Sequence, residues 1–316
     1  LEVFGANKLK GQINISGSKN ASLPILAATL LSKKKITLKN LPNVKDIKTM
    51  LVLLESLGSK INRLKDKIVI NNLNQDKSFA SYNLVKTMRA GILVLGPLLA
   101  KFGKAKVSSP GGCSIGVRPI DIHLMALSKL GVKYKINQGY VHATAPKGLI
   151  GSKIRFSKVS VGATENIIIA ACLAKGTTIL SNCAIEPEIK DLVNFLIKIG
   201  CNIKWTSKRT IKILGVREIN QATYTVMFDR IEAGTYLIAA AATEGNLKIK
   251  RVIPNIIQTE IKILKKIGAK ISIKKDEIHI IGNQKIKSVN IKTSPYPGFP
   301  TDLQAQIMVL LCKANK

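Results

Sequence analysis

The hydrophobic and polar positions of this chain follow one pattern four times in succession. Each copy opens with an Ala-rich apolar stretch at helical spacing, continues with short runs in which apolar and polar residues alternate, and closes on an apolar residue followed by glycine. The closing glycines are Gly58, Gly131, Gly200 and Gly268, at intervals of 73, 69 and 68 residues. Self-similarity at a fixed interval is typical of repeat architectures, so we predict four copies of one supersecondary unit.

The first copy shows the order of elements most plainly. Residues 20–31 and 44–57 have the spacing of helices, whereas residues 35–39 and 60–70 alternate as strands do. Helices and strands that alternate at short range predict an α/β fold with helices packed on sheet surfaces. Pro24 is expected in the first turn of its helix, where a missing N–H costs little.

The repeats predict two domains. We expect a complete α/β domain of three units over residues 20–227, and a second α/β domain formed by residues 1–19 and 228–316. Residues 219–228 show neither the spacing of a helix nor the alternation of a strand, and we expect them to mark the boundary between the two domains. A fifth opening helix, predicted from Thr301, reaches Lys316 without a closing glycine, so we expect a fragment whose second domain is truncated at the C-terminus.

Composition indicates a globular protein of the cytoplasm. Hydrophobic residues make up 46% of the chain, but the longest apolar runs are shorter than the 18 to 20 or so residues that span a bilayer. The N-terminus lacks the apolar core of a secretory signal. The five cysteines show no zinc spacing, and we expect Cys172, Cys183 and Cys201 to be small buried hydrophobes.

The net charge of +32 would ordinarily indicate a polyanionic partner. The lysines are spread along the whole chain, however, and aromatic residues, which stack on bases, make up only 4% of it. We therefore predict neither nucleic acid nor a membrane as a partner, and interpret the lysines mainly as solvated surface.

Polar and charged residues gather where the repeated helices begin. Equivalent helices enter from equivalent positions, and their N-termini favour anions, so these entrances predict a cleft for phosphates. Ordinary helix capping is the alternative explanation. The entrance residues are Ser16, Gly17, Ser18, Lys19 and Asn20; Lys86 and Arg89; Lys158, Ser160 and Gly162; Asp229, Arg230 and Glu232; and Thr301 and Asp302.

One cysteine differs from the others. The stretch VSSPGGCSIGVRPIDIH places Cys113 in a glycine-rich loop with Arg118 five residues later. A thiol in an electropositive loop has a lowered pKa and can act as an acid or a nucleophile, although a bystander thiol in a turn is the alternative. Arginine fills only 8 of 50 basic positions, and Arg89, Arg118 and Arg230 lie in these motifs, where a planar fork suits phosphate or carboxylate.

Six segments together resemble the UDP-N-acetylglucosamine enolpyruvyl transferases. They are SGSKNASLP (16–24), LVKTMRA (84–90), PGGCSIGVRPIDIH (110–123), KVSVGAT (158–164), FDRIEAGTYL (228–237) and FPTDLQAQ (299–306). The loop cysteine with the following RPxDxH separates this family from its sister, 5-enolpyruvylshikimate-3-phosphate synthase. The resemblance implies two inside-out α/β barrel domains.

The resemblance also implies a reaction. The enolpyruvyl group of phosphoenolpyruvate would pass to the 3-hydroxyl of UDP-N-acetylglucosamine with release of phosphate, and no metal or organic cofactor is implied. Cys113 would be the general acid and the thiol alkylated by fosfomycin, and Asp302 would accept the hydroxyl proton. Lys19, Asn20 and Arg118 would contact phosphoenolpyruvate. The nucleotide sugar would be held by Arg89, Arg118, Pro119, Ile120, Asp121, Ile122, Lys158, Val159, Ser160 and Val161.

Part of the family pattern is absent from this sequence. The family's last hundred or so residues supply further arginines, so we expect this polypeptide by itself to be inactive. The alternatives are the shikimate-pathway sister enzyme and a non-catalytic basic protein; DNA affinity with a steep salt dependence and no sugar-nucleotide binding would favour the latter.

Overall fold

A computed structural model describes residues 2, 4–5, 7–73, 75–85, 88–109 and 120–314. The chain forms two units. The large unit comprises Lys19–Met227, and the small unit comprises Leu1–Ser18 with Phe228–Lys316. The first three repeats lie in the large unit, and the fourth lies in the small unit.

The helices and strands follow the repeats in chain order. The small unit begins with β1 (Lys10–Asn14). The first repeat contains α1 (Lys19–Ala28), β2 (Ile36–Lys39), α2 (Lys45–Ser56), β3 (Lys60–Arg63) and β4 (Lys67–Asn71). The second contains β5 (Phe79–Ala80), α3 (Tyr82–Val85), α4 (Leu95–Phe102), β6 (Lys104–Ser108), α5 (Asp121–Lys129), β7 (Lys133–Asn137) and β8 (Tyr140–Thr144). The third contains β9 (Lys153–Arg155), α6 (Val161–Ala171), β10 (Thr177–Ser181), α7 (Pro187–Lys198), β11 (Asn202–Ser207), β12 (Thr210–Leu214) and β13 (Ala222–Thr225).

The chain then returns to the small unit. Its fourth repeat contains α8 (Arg230–Ala242), β14 (Asn246–Lys250), α9 (Gln258–Ile267), β15 (Lys270–Ile273) and β16 (Glu277–Ile281). The last helix is α10 (Gln304–Leu311), which follows a 3-10 turn at Thr301–Leu303.

Each repeat builds a four-stranded sheet with the same strand order. In every sheet the first strand is parallel to its neighbour and the other pairs are antiparallel; the orders are β5-β6-β8-β7, β9-β10-β12-β11, β13-β2-β4-β3 and β1-β14-β16-β15. The strands β1, β5 and β9 each precede the strand with which they pair in parallel. Strand β13 instead follows its partner β2 and comes from the C-terminal end of the large unit. Two of the four sheets are therefore completed by a strand from outside their own repeat: β13 joins the sheet of the first repeat, and β1 joins that of the fourth.

The Ala-rich opening helices form the centre of the large unit. In α1, every residue from Ala21 to Ala28 is buried, and α6 is buried from Ala163 to Ala171. A helix that is apolar on all sides belongs in a core. Strand β7, by contrast, is exposed along its whole length. Helices inside and sheets outside are the arrangement that the resemblance implies, and the predicted fold class is confirmed.

Three local predictions differ from the structure. The second opening helix, whose entrance is predicted at Lys86 and Arg89, is a 3-10 helix from Arg89 to Val94 and becomes α-helical only at Leu95. A continuous α-helix would require Pro97 to donate to the carbonyl of Leu93, which proline cannot do; starting at Leu95 places Pro97 in the first turn. Pro24 is the sixth residue of α1, not part of its first turn, so the chain forgoes its hydrogen bond to the carbonyl of Asn20.

The stretch predicted to be an irregular boundary contains a strand. Residues 222–225 form β13, which pairs with β2 in parallel, Ala222 opposite Ile36. This strand was not predicted because its four residues show little alternation of apolar and polar side chains, and because its partner β2 lies far away in the sequence.

Candidate functional site

The helix entrances of the large unit lie at one end of it. The segments that end α1, α4 and α6 line a common pocket through Leu31, Ala100 and Leu173. Helix α6 packs on both α1 and α4, and the 3-10 turn that follows α1 packs on α4. Helices that run side by side with their C-terminal ends together also have their N-terminal ends together, so three partially positive helix ends gather opposite the pocket.

Lys19 and Asn20 begin α1, as predicted. Both are half-buried, and the Lys19 ammonium lies 3.5 Å from a carboxylate oxygen of Asp46 in the first turn of α2. Because both side chains remain substantially exposed, this ion pair is weak, and an anionic ligand can compete for the lysine.

Several predicted residues fall outside the described part of the chain. Cys113, Arg118 and Pro119 lie in the undescribed segment 110–119, and Lys86 is also undescribed. Arg89 begins the 3-10 helix that leads into α4, but its side chain lies outside the description. Their predicted roles remain predictions.

The structure brings two of the predicted binding segments together. Ile120 caps α5, exposed Asp121 and buried Ile122 begin it, and Lys158–Val161 lead into α6. A Cβ built on Gly162 would lie 3.3 Å from Cε1 of His123, so the first turns of α5 and α6 are in contact. The Ser160 hydroxyl accepts from the amide of Ala163 at 3.3 Å and caps α6.

A buried asparagine ties these helices to α4. The Asn166 Oδ1 accepts from the amide of Gly96 at 2.8 Å, and its Nδ2 donates to the carbonyl of Ile92 and lies near Nδ1 of His123, both at 3.1 Å. Sequence reasoning did not identify Asn166. The available signal was a single amide in the apolar run ATENIIIAAC, since a polar group in a fully buried helix needs partners.

His123 is an uncharged member of this network. Because Asn166 donates to Nδ1, the ring proton is assigned to Nε2, on the side that faces Gly162. Burial lowers the pKa of His123 to about 4, and the nearby carboxylate of Asp121 opposes the shift. The imidazole therefore serves as a neutral acceptor at physiological pH.

Acidic side chains lie deeper under the entrance of α6. Burial raises the pKa of Glu165 well above its ordinary value, and the charges of Glu188 and Glu186 add to the shift. Protonation of Glu165 reduces negative charge beneath a helix end that favours anions.

In the small unit, Asp302 is exposed and lies in the 3-10 turn before α10. Asp229 caps α8 through Oδ1, which accepts from the amides of Ile231 and Glu232 at 2.8 and 3.0 Å. The buried guanidinium of Arg230 lies 5.8 Å from the ring centroid of Tyr296. These residues occupy the entrance positions that the sequence predicts.

The two entrances of the small unit lie at the same end. Near the starts of α8 and α10, Leu303 packs on Gly234 and the Gln306 amide donates to the Thr235 hydroxyl at 3.1 Å. Near their ends, the Lys313 ammonium donates to the carbonyl of Ala242 at 2.7 Å. The helices are therefore parallel, and the predicted gathering of entrances holds within this unit.

The described residues offer neither a metal centre nor a membrane span. Among them, no group of three or more histidine, cysteine, aspartate or glutamate side chains is arranged to hold a metal ion. No helix in that part of the chain has the length and apolarity to cross a bilayer.

Comparison with known proteins gives consistent results. The family model described as EPSP synthase (3-phosphoshikimate 1-carboxyvinyltransferase) matches residues 3–315. The chain is 77% identical to the UDP-N-acetylglucosamine 1-carboxyvinyltransferase of Pelagibacter ubique (strain HTCC1062), over all of this chain and 76% of that protein. It is 49% identical to the protein of the same name from Aliarcobacter butzleri (strain RM4018), over all of this chain and 75% of that one.

The fold is also similar to that of a solved structure. The enolpyruvyl transferase NikO from Streptomyces tendae superposes with a TM-score of 0.88 at 20% identity, covering 98% of this chain and 74% of that one. At this identity the likeness concerns the fold alone.

Proposed function

Since the chain belongs to the UDP-N-acetylglucosamine 1-carboxyvinyltransferase family, we propose that it transfers the enolpyruvyl group of phosphoenolpyruvate to the 3-hydroxyl of UDP-N-acetylglucosamine and releases phosphate. This reaction is the first committed step of peptidoglycan synthesis. The observation that carries the proposal is the 77% identity, which extends over every segment where the predicted site residues lie.

In the proposed reaction, two protein groups move protons. Cys113 gives its proton to the methylene carbon of phosphoenolpyruvate. Asp302 accepts the proton of the sugar hydroxyl while the hydroxyl oxygen bonds to the phosphoenolpyruvate carbon that carries the phosphate. Loss of a proton from the new methyl group then expels phosphate and restores the double bond. The same thiol can add to phosphoenolpyruvate and form a phospholactoyl adduct.

The remaining predicted residues hold the substrates. Lys19, Asn20 and Arg118 are proposed to bind phosphoenolpyruvate, and Arg89 the nucleotide sugar. The segments Arg118–Ile122 and Lys158–Val161 are proposed to hold the same sugar nucleotide. The contact between α5 and α6 supports this assignment because it brings the two segments together. The exposed ion pair of Lys19 and the gathered helix N-termini support it because they favour an anionic ligand at that end of the large unit.

Protection of Cys113 from alkylation tests substrate binding. Iodoacetamide labelling, followed by peptide mass spectrometry, is expected to slow at Cys113 when UDP-N-acetylglucosamine is present. Exposed Cys312 is the internal control, since its labelling should not change, and Cys172, Cys183 and Cys201 are buried. Protection by shikimate 3-phosphate instead would favour the sister activity, and protection by neither ligand would contradict the proposal.

Turnover tests the chemistry. Phosphate release with both substrates should be abolished by Cys113→Ala. In Asp302→Asn, kcat should fall by about 100-fold, as for loss of a general base, while protection of Cys113 by the sugar nucleotide persists. Unchanged kcat in Asp302→Asn would show that another group accepts the hydroxyl proton.

A further inference from the structure

The large unit has a second concave site at the end away from its helix entrances. A pocket of about 720 Å³ lies where the segments that follow α1, α4 and α6 meet, and all three repeats of the unit contribute to its walls. That volume lies within the range of small-molecule sites in proteins. None of the residues proposed for the enolpyruvyl transfer lines it.

The walls of this pocket carry an excess of positive charge. Five cations face one carboxylate: Lys33, Lys34, Lys101, Lys175 and Arg217 against Glu218. The Lys34 ammonium lies 2.9 Å from Glu218, which neutralises one of the five. A cation at each helix C-terminus compensates the partial negative charge there, but three helix ends do not account for all of these charges.

Lys101 is the least exposed of these five cations. Its ammonium is partly buried and donates to Oε1 of Gln75 at 2.6 Å, which fixes its position. Burial lowers the pKa of Lys101 to about 8, and the charge of Lys33 adds to the shift. An anion in the pocket would lower the repulsion between these lysines.

We propose that this pocket binds a small phosphorylated organic anion. The lysines supply point charges for phosphate, and Leu31, Leu173 and Val216 supply apolar wall for an organic part of the ligand. A recessed pocket that combines the two favours a small ligand over the extended surface that a nucleic acid or acidic protein needs.

Titration of the protein with inorganic pyrophosphate tests the charge component of this site. NMR should show saturable shifts of the amides of Gly176 and Gly215, which line the pocket, and the pKa of Lys101 should rise above about 8 on binding. Lys101→Met should weaken binding by about tenfold, the size expected for one charged hydrogen bond. ATP should bind more tightly than pyrophosphate, because its organic part can pack on the apolar wall, and equal affinity would contradict an organic ligand.

Matched substitutions give the controls. Lys175→Gln alters an exposed lysine of the pocket and should also weaken binding, without the burial that makes Lys101→Met a risk to folding. Lys133→Gln, on exposed strand β7, should leave binding unchanged. Equal weakening by Lys133→Gln and Lys175→Gln, or shifts that spare Gly176 and Gly215, would overturn the proposal in favour of general attraction to a cationic protein.

Discussion

Asn166 shows how much one side chain contributes to the large unit. Its amide is fully buried and joins Gly96, Ile92 and His123, which belong to two other helical segments. Asn166→Ala should lower the free energy of unfolding by about 3 kcal/mol, because it leaves buried polar groups unsatisfied. Urea unfolding measures the change. Asn194→Ala, on the exposed face of α7, should cost less than about 0.5 kcal/mol, and equal costs would contradict this role.

His123 should make the stability depend on pH. Its pKa in the folded protein is about 4, against 6.5 when unperturbed, so the unfolded chain binds the proton more readily. The resulting destabilisation is absent above pH 6.5 and grows as the pH falls toward 4. At pH 4.5 it should reach about 2 kcal/mol.

The comparison variant for His123 is His123→Gln, which keeps an acceptor for Asn166. Unfolding in urea at pH 6.5, 5.5 and 4.5 should show a smaller loss in the variant than in the parent protein. The raised pKa of Glu165 has the opposite effect, since folding favours its protonated form, and it acts in both proteins. Identical pH profiles would show that His123 is not the titrating group.

At the level of single residues, the sequence predicts positions better than partners. Lys19, Ser160 and Asp229 lie at helix entrances as predicted, because capping and charge patterns are local. Cys172, Cys183 and Cys201 are buried, as predicted. The partners of Asn166 could not be predicted, since they lie 70 and 74 residues away. Pro24 was misplaced because the sequence gives the proline but not the residue at which the helix begins.

Close packing between helices α4 and α6 depends on a glycine. A Cβ on Gly96 would lie 2.5 Å from the carbonyl oxygen of Asn166, which is backbone and cannot move aside cheaply. Gly96→Ala should therefore cost about 3 kcal/mol of unfolding free energy, measured in urea. Gly162→Ala is the comparison: its Cβ would meet the His123 ring at 3.3 Å, so a cost of about 1 kcal/mol is expected. A larger cost for Gly162→Ala than for Gly96→Ala would mean that α4 can move away from α6 at little cost.

The prediction of elements succeeded where the pattern is long. The predicted helix at 44–57 corresponds to α2, flanked by Val44 and Leu57 as caps, because its apolar spacing extends over several turns. The helix predicted from Arg89 failed in its first part, where Pro97 governs the hydrogen bonding. Strand β13 has only four residues, and its place in a sheet is set by β2, not by its own pattern.

At the scale of the whole molecule, the last strand of the large unit closes its first sheet. The Tyr224 hydroxyl of β13 also donates to Asp191 Oδ1 at 2.6 Å, which links the closing strand to α7. Residues 19–227 alone should therefore fold, with a cooperative urea transition seen by circular dichroism. A shorter piece, residues 19–217, should lose that transition, because β2 has no parallel neighbour. Equal midpoints for the two pieces would show that β13 is dispensable.

The repeat and the fold class were predictable because the pattern recurs four times, and a chance arrangement of apolar residues would not recur at a fixed interval. The placement of β13 and β1 was not predictable, since each pairs with a strand of a distant repeat and the sequence interval gives no sign of it.

The pairing of β2 with β13 has a consequence during translation, because β2 is made long before β13. While the ribosome makes the residues between them, β2 has emerged but its eventual neighbour has not, so one backbone edge stays open while residues 40–221 are made. Such an edge can capture a strand from another nascent chain. We expect the newly made protein to depend on chaperones until the residues of β13 leave the exit tunnel, and to be prone to misassembly when translation stalls before them.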